Sequence, residues 1–150
     1  MTTQTIRALG VSAMLLGCGE SGTHHDAGGI AISPPTWESV EAVIARSCAF
    51  SSCHGGLRAY PRLSPELAYE SLSTGMSMQA PSLRLVTPGD PAQSWLMHKL
   101  DGTMSSQAAC AGANSPCGTS MPQSSELLPT AERATIRAWI QAGAPGPRDR

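Results

Sequence analysis

Within seven residues, Cys48-Ala-Phe-Ser-Ser-Cys53-His54, the chain places two thiols and an imidazole, and Gly55-Gly56 follows at once. Two cysteines with a histidine directly after the second suit covalent attachment of haem. The thiols join two vinyl groups on one side of the porphyrin, and the adjacent imidazole reaches the iron. The spacing is wider than in the usual C-x-x-C-H motif, with four residues between the cysteines. The extra backbone, up to roughly 7 Å, must bulge outward because the vinyl separation is constant. Small Ala49, Ser51 and Ser52 permit that.

The rest of the composition is consistent with a chain that needs such a group. Its 150 residues suit one domain plus short extras. Fifteen glycines and twelve prolines make loops a large share of the fold, and three Trp, two Tyr and one Phe leave a thin side-chain core. A large flat apolar cofactor, disulfides, or both would support it. Ten Lys/Arg stand against eleven Asp/Glu with no charge run, so neither a nucleic-acid groove nor an acidic lipid surface is indicated. There is no Ser/His/Asp set with helpful spacing, no phosphate-cradling glycine loop and no pair of carboxylates on one helix face. Hydrolase chemistry has no support.

The start of the chain has the pattern of an export signal. Arg7 is its only charge, and Ala8 to Gly17 is an apolar run. The run is shorter than the roughly 20 residues a bilayer span needs, but matches a signal-peptide core. Leu15-Leu16-Gly17-Cys18 resembles the lipobox of bacterial lipoproteins, in which the cysteine is lipidated and becomes the mature N-terminus. The expected organisation is a signal peptide over 1–17, a lipid-anchored linker over 18–35, a domain over 36–146 and a tail over 147–150. His24 and His25 fall in the linker and read as solvated. The expected location is the periplasmic side of a bacterial membrane, where disulfides persist. With Cys18 lipidated and Cys48 and Cys53 on haem, Cys110 and Cys117 remain for a disulfide across a six-residue loop.

Helical signals are clear. Thr36 caps a helix from Trp37 to Arg46, and Trp37, Val40, Val43 and Ile44 share one face. That helix delivers the chain into Cys48, and its apolar face is expected beside the porphyrin. Ser64-Pro65-Glu66 opens a second helix through Leu72, ending near Gly75. Asp90-Pro91 opens a third, carrying Trp95, Leu96, Lys99 and Leu100, and Asp101-Gly102 stops it. The last begins at about Thr130, carries Ala134, Ile136, Trp139 and Ile140, and ends at Gly143 and Pro145. No strand of convincing length and no repeat is present. The expectation is an all-α domain of about four helices with long loops.

For the iron, His54 is the proximal ligand expected and Met121, in Gly118-Thr-Ser-Met121-Pro122, the distal one. The proline is expected to hold this loop extended so that the thioether projects at the metal. A soft thioether favours ferrous iron and raises the reduction potential. A Cys110–Cys117 link would stiffen the loop. His98 reads first as a surface or half-buried histidine, with a distal-ligand role as its alternative. Met76, Met78 and Met104 read as packing, with ligation as a fallback. Trp95 and Trp139 are expected to flank the haem, and Arg58, Arg62 or Arg84 to pair with its propionates.

Four pieces together carry a resemblance. They are Cys48-Ala-Phe-Ser-Ser-Cys53-His54-Gly-Gly; Leu85-Val-Thr-Pro-Gly-Asp90-Pro-Ala-Gln-Ser94-Trp-Leu, ending Lys99-Leu100; Met121-Pro122; and Ile136-Arg-Ala-Trp-Ile140-Gln-Ala-Gly-Ala144. In this order they resemble the small class I cytochrome c domains of exported myxobacterial and planctomycete proteins. The resemblance implies one covalent haem c per chain on Cys48 and Cys53, with His54 and Met121 as axial ligands in a helical fold. The expected function is single-electron transfer between redox protein partners, from a membrane held by the lipid anchor. The expectation is an electron carrier and not an enzyme, with peroxidase-like activity left open. Three alternatives stand beside it: a haem-free interaction module with a Cys48–Cys53 disulfide, a Cys/His site for a metal such as zinc, and a peroxidase with an open iron position.

Overall fold

The computed structural model describes residues 36–111, 117–123 and 126–148. The expected signal peptide, Cys18, the linker and the end of the tail lie outside the described residues. The Thr36 hydroxyl accepts the Ser39 N–H at 3.4 Å and caps α1, Trp37–Ser47. Glu38 sits in the first turn, where backbone amides and the Thr36 side chain hold its carboxyl below the usual range. Trp37, Val40, Val43 and Ile44 are buried on one face of α1.

The second helix starts later than its sequence signal. Ser64 to Leu67 form a turn, with the Leu67 and Ala68 N–H groups both donating to the Ser64 carbonyl at 2.9 Å. Helix α2 then runs over Ala68–Thr74, with no side-chain cap, and stops at Gly75. Ser64 therefore acts through its backbone oxygen.

The third helix is interrupted. Asp90 accepts the Ala92 and Gln93 N–H groups at 3.0 and 3.2 Å, opening a single 3-10 turn over Pro91–Gln93. Ser94 then breaks the run. Its buried hydroxyl donates to the Asp90 carbonyl at 2.8 Å and accepts the Thr87 N–H at 2.9 Å, holding its backbone extended. Helix α3 follows over Trp95–Asp101 and ends at Gly102, whose φ of 68° is the left-handed conformation favoured at a helix C-terminus.

Two short 3-10 turns, Met104–Ser106 and Ala108–Cys110, lead away from α3. Helix α4, Thr130–Gln141, closes the domain. Trp139 on α4 meets Trp37 on α1 with ring centroids 5.6 Å apart, and its indole N–H donates to the Pro145 carbonyl at 2.9 Å. The apolar face of α1 thus packs on α4 and Tyr69, whereas the sequence reading placed it beside the porphyrin. Arg46 pairs with Glu132 at 2.8 Å between α1 and α4, and Asp101 on α3 pairs with Arg133 and Arg137 of α4.

Among the described residues the architecture is all-α, with four α-helices and long connections. Among the described residues only isolated bridges occur, Met76 with Arg84 and Arg84 with Ser94, and no strand forms. Among the same residues no helix is long and apolar enough to cross a membrane.

Candidate cofactor site

Helix α1 ends by sharing one acceptor, the Ile44 carbonyl, between the N–H groups of Cys48 at 2.8 Å and Ala49 at 3.0 Å. The chain then curls back on itself. Cys53 and Gly55 both donate to the Phe50 carbonyl at 2.9 Å, and His54 donates to the Cys48 carbonyl at 3.1 Å. This closure demands the two glycines. A Cβ on Gly55 would collide with the Ala49 carbonyl oxygen, and one on Gly56 would sit 2.7 Å from that of Ser51. Phe50, Ser51, Ser52 and Cys53 are exposed, so the surplus residues between the cysteines bulge into solvent.

His54 is anchored through its ring. Its Nδ1 lies 2.9 Å from the Pro61 carbonyl oxygen. A carbonyl only accepts, so the Nδ1 carries a proton and, in the neutral tautomer this selects, the lone pair resides on Nε2, the arrangement of a metal-ready imidazole.

Cys48, Cys53 and His54 line a cavity of about 820 Å³ together with Met121 and Pro122 from the segment before α4. Trp95, Leu96 and Leu100 of α3, Leu72 of α2, and Leu63 and Leu85 supply apolar wall. The four expected site residues, distant in sequence, therefore face one space. Cys48 and Cys53 are free thiols, while Cys110 and Cys117 are joined in a disulfide and fully buried.

Other sequence expectations divide. Met78 lines the cavity from an exposed loop, whereas Met104 is core and Met76 is exposed outside it. Trp95 is part of the wall, but Trp139 belongs to the α1–α4 core. His98 is buried and committed: Nδ1 meets Thr103 Oγ1 at 3.0 Å, and Nε2 meets the Ala92 carbonyl and the Gln107 amide nitrogen at 3.0 Å each. It is not among the lining residues. Arg84 spends its guanidinium on the Ser73 and Val86 carbonyls, and Arg58 and Arg62 do not line the cavity. Arg46 does line it. The Met121–Pro122 peptide is cis and the chain bends there, rather than running extended.

Lys99 escaped the sequence reading as a site residue. It lines the cavity and is buried. Its Nζ donates to the Cys117 carbonyl at 2.6 Å and to that of Thr119 at 2.8 Å, and its own carbonyl accepts the Met121 N–H at 2.9 Å. The signal was present: Lys99 falls four residues after Trp95, on a face otherwise occupied by core side chains.

Burial sets the electrostatics. The Cys48 thiol is pushed up from an ordinary 9.0 to about 11, first by desolvation and then by negative charge on Cys53 and Glu132. The Lys99 ammonium is pushed down by desolvation. At neutral pH Cys48 is a protonated thiol, a weak metal ligand. Among the described residues no group of three or more His, Cys, Asp or Glu is placed to hold a metal ion. Compared with protein-family models, curated proteins and solved structures, the chain matches none.

Proposed function

We propose that this chain is an exported c-type cytochrome of the class I kind, an electron carrier that holds one haem and passes single electrons between redox protein partners. The observation that carries the reading is the convergence of Cys48, Cys53, His54 and Met121 on one largely apolar cavity of about 820 Å³. That volume falls within the roughly 300–1,000 Å³ of small-molecule and cofactor sites.

The donor set fits haem c. Cys48 and Cys53 carry the free thiols that thioether attachment needs. Each link would join sulfur to one vinyl carbon and place the thiol hydrogen on the other, so the chain would gain the mass of a whole haem. His54, oriented by Pro61, offers Nε2 as the proximal ligand. Met121, on a segment tied to α3 and to the disulfide, offers a thioether as the distal ligand. When bound, the iron would supply a one-electron ferric/ferrous couple. The leucines and Trp95 give the cavity an apolar wall, and a second protein ligand at Met121 would leave no vacancy for peroxidase chemistry. The leader and Cys18 support a lipid anchor on the periplasmic side of a bacterial membrane.

The test is a reduced pyridine haemochrome spectrum with an intact mass, on protein exported from a host with c-type maturation machinery. The expected result is the α-band of a doubly thioether-linked haem and a mass increased by one haem. Unmodified apo protein, beside a control cytochrome that matures normally, would sink the reading in favour of the haem-free interaction module.

A further inference from the structure

Lys99 is a buried cation without a carboxylate partner among the described residues, at 8% exposure. Burying a charge is costly unless its donors are satisfied. Here two of its three donors are taken by main chain, at the Cys117 and Thr119 carbonyls. The Lys99 stem also places the ammonium 5.6 Å from the centroid of the Trp95 ring, in the cavity wall.

The segment being held is the one that carries Met121. Residues 117–121 belong to no helix or strand that would satisfy their carbonyls. The disulfide secures the segment at Cys117, and Met121 is four residues further on. An ammonium has several donors and no acceptor, so one side chain can gather two carbonyls that face it. An apolar residue at this position would remove both of these hydrogen bonds.

We propose that Lys99 is the positioning residue for Met121: its ammonium gathers the Cys117 and Thr119 carbonyls while its own carbonyl accepts the Met121 N–H, so α3 sets where the thioether enters the cavity. This rests on the haem reading above. A cation in the wall also disfavours ferric iron, so Lys99 acts on the potential in the same direction as the thioether it positions.

The experiment uses full-length, haem-loaded protein and starts with wild type, whose mass and near-infrared charge-transfer band of thioether-bound ferric iron are recorded first. A missing haem mass or a missing band overturns the underlying reading, and the proposal with it, before any Lys99 variant is made. Lys99→Met removes charge and donors at nearly constant shape, and Lys99→Gln keeps neutral N–H donors. Expected for Lys99→Met are loss of most of the band, a lower midpoint potential, and imidazole uptake by ferric iron about tenfold faster than wild type. Lys99→Gln falls between. Asp101→Asn serves as a destabilised control that keeps the wild-type band. If Lys99→Met does not accumulate, Lys99→Gln decides by the same readouts. Wild-type band, potential and imidazole rate in the Lys99 variants would overturn the proposal.

Discussion

The Nδ1 of His54 and the carbonyl oxygen of Pro61 lie 2.9 Å apart, which assigns the ring proton to one nitrogen and the lone pair to the other. If the imidazole serves the cavity rather than the fold, replacing it should cost the empty chain little. His54→Ala is expected to lower apo stability by about 1 kcal/mol, the worth of one hydrogen bond. In haem-loaded protein it should alter the ligand-field spectrum. Urea denaturation of the apo chain checks the first part, and a loss of several kcal/mol would mark His54 as a structural histidine instead.

Met121→Ala leaves both cysteines and the His54 anchor in place, so the haem mass should persist. The visible spectrum should shift towards high spin, because the distal position loses its protein ligand. An unchanged spectrum would move the distal assignment elsewhere. Met78, which lines the same cavity, would be the next residue to replace.

Gly55 sits where the loop closes on the Ala49 carbonyl, so a methyl there must push backbone aside. Gly55→Ala should destabilise by about 1–3 kcal/mol and reduce haem loading as the cysteine loop opens. Ser51→Ala, on the exposed bulge, should do neither. Chemical denaturation and intact mass measure both. A Gly55→Ala chain as stable as wild type would mean that the loop does not close this way.

Cys48 couples apo stability to pH. Its folded value of about 11 lies above the ordinary 9.0, so between those pH values the folded chain keeps a proton that the unfolded chain releases. The contribution is complete below pH 9.0 and is lost as pH rises through 11. It amounts to about 3 kcal/mol. Lys99, lowered by burial, works in the opposite sense below its ordinary 10.5, so the difference between wild type and Cys48→Ala isolates the thiol. Haem-loaded protein should lack this slope, since a thioether does not titrate. A slope that survives in Cys48→Ala would assign it to another group.

Asp101 gathers two arginines of α4, with its side chain 17% exposed. Asp101→Asn leaves both guanidiniums short of a counter-charge and should cost about 1–3 kcal/mol, with the weaker share from the more exposed Arg137. Haem loading should be unchanged, because Asp101 does not line the cavity. Denaturation midpoints at low and high salt test this. A loss below a few tenths of a kcal/mol would class the network with ordinary surface pairs.

Local chemistry in the sequence determined much of this domain. The Thr36 cap, the three- and four-residue periodicity of α1, the stops at Gly75, Gly102 and Gly143, and the absence of strands among the described residues all depend on neighbours a few residues away. With Cys18 assigned to lipid and Cys48 and Cys53 to haem, the cysteine arithmetic left Cys110 and Cys117 as partners, and these two form the disulfide. Helix starts were less legible where a side chain had two options. Ser64 spends its carbonyl on a turn, and Ser94 turns its hydroxyl on nearby backbone and interrupts the third helix.

Only tertiary structure decided which residues share a space. It drew Met121 to Cys48, Cys53 and His54, enclosed His98 among Thr103, Ala92 and Gln107, and separated Trp95 from Trp139. It also buried Lys99, a residue that composition assigns to the surface, because carbonyls of a segment eighteen and twenty residues away needed its donors. Propensity acts over a few residues. A cavity and the satisfaction of its wall depend on contacts between distant ones, and these exist only once the chain has packed.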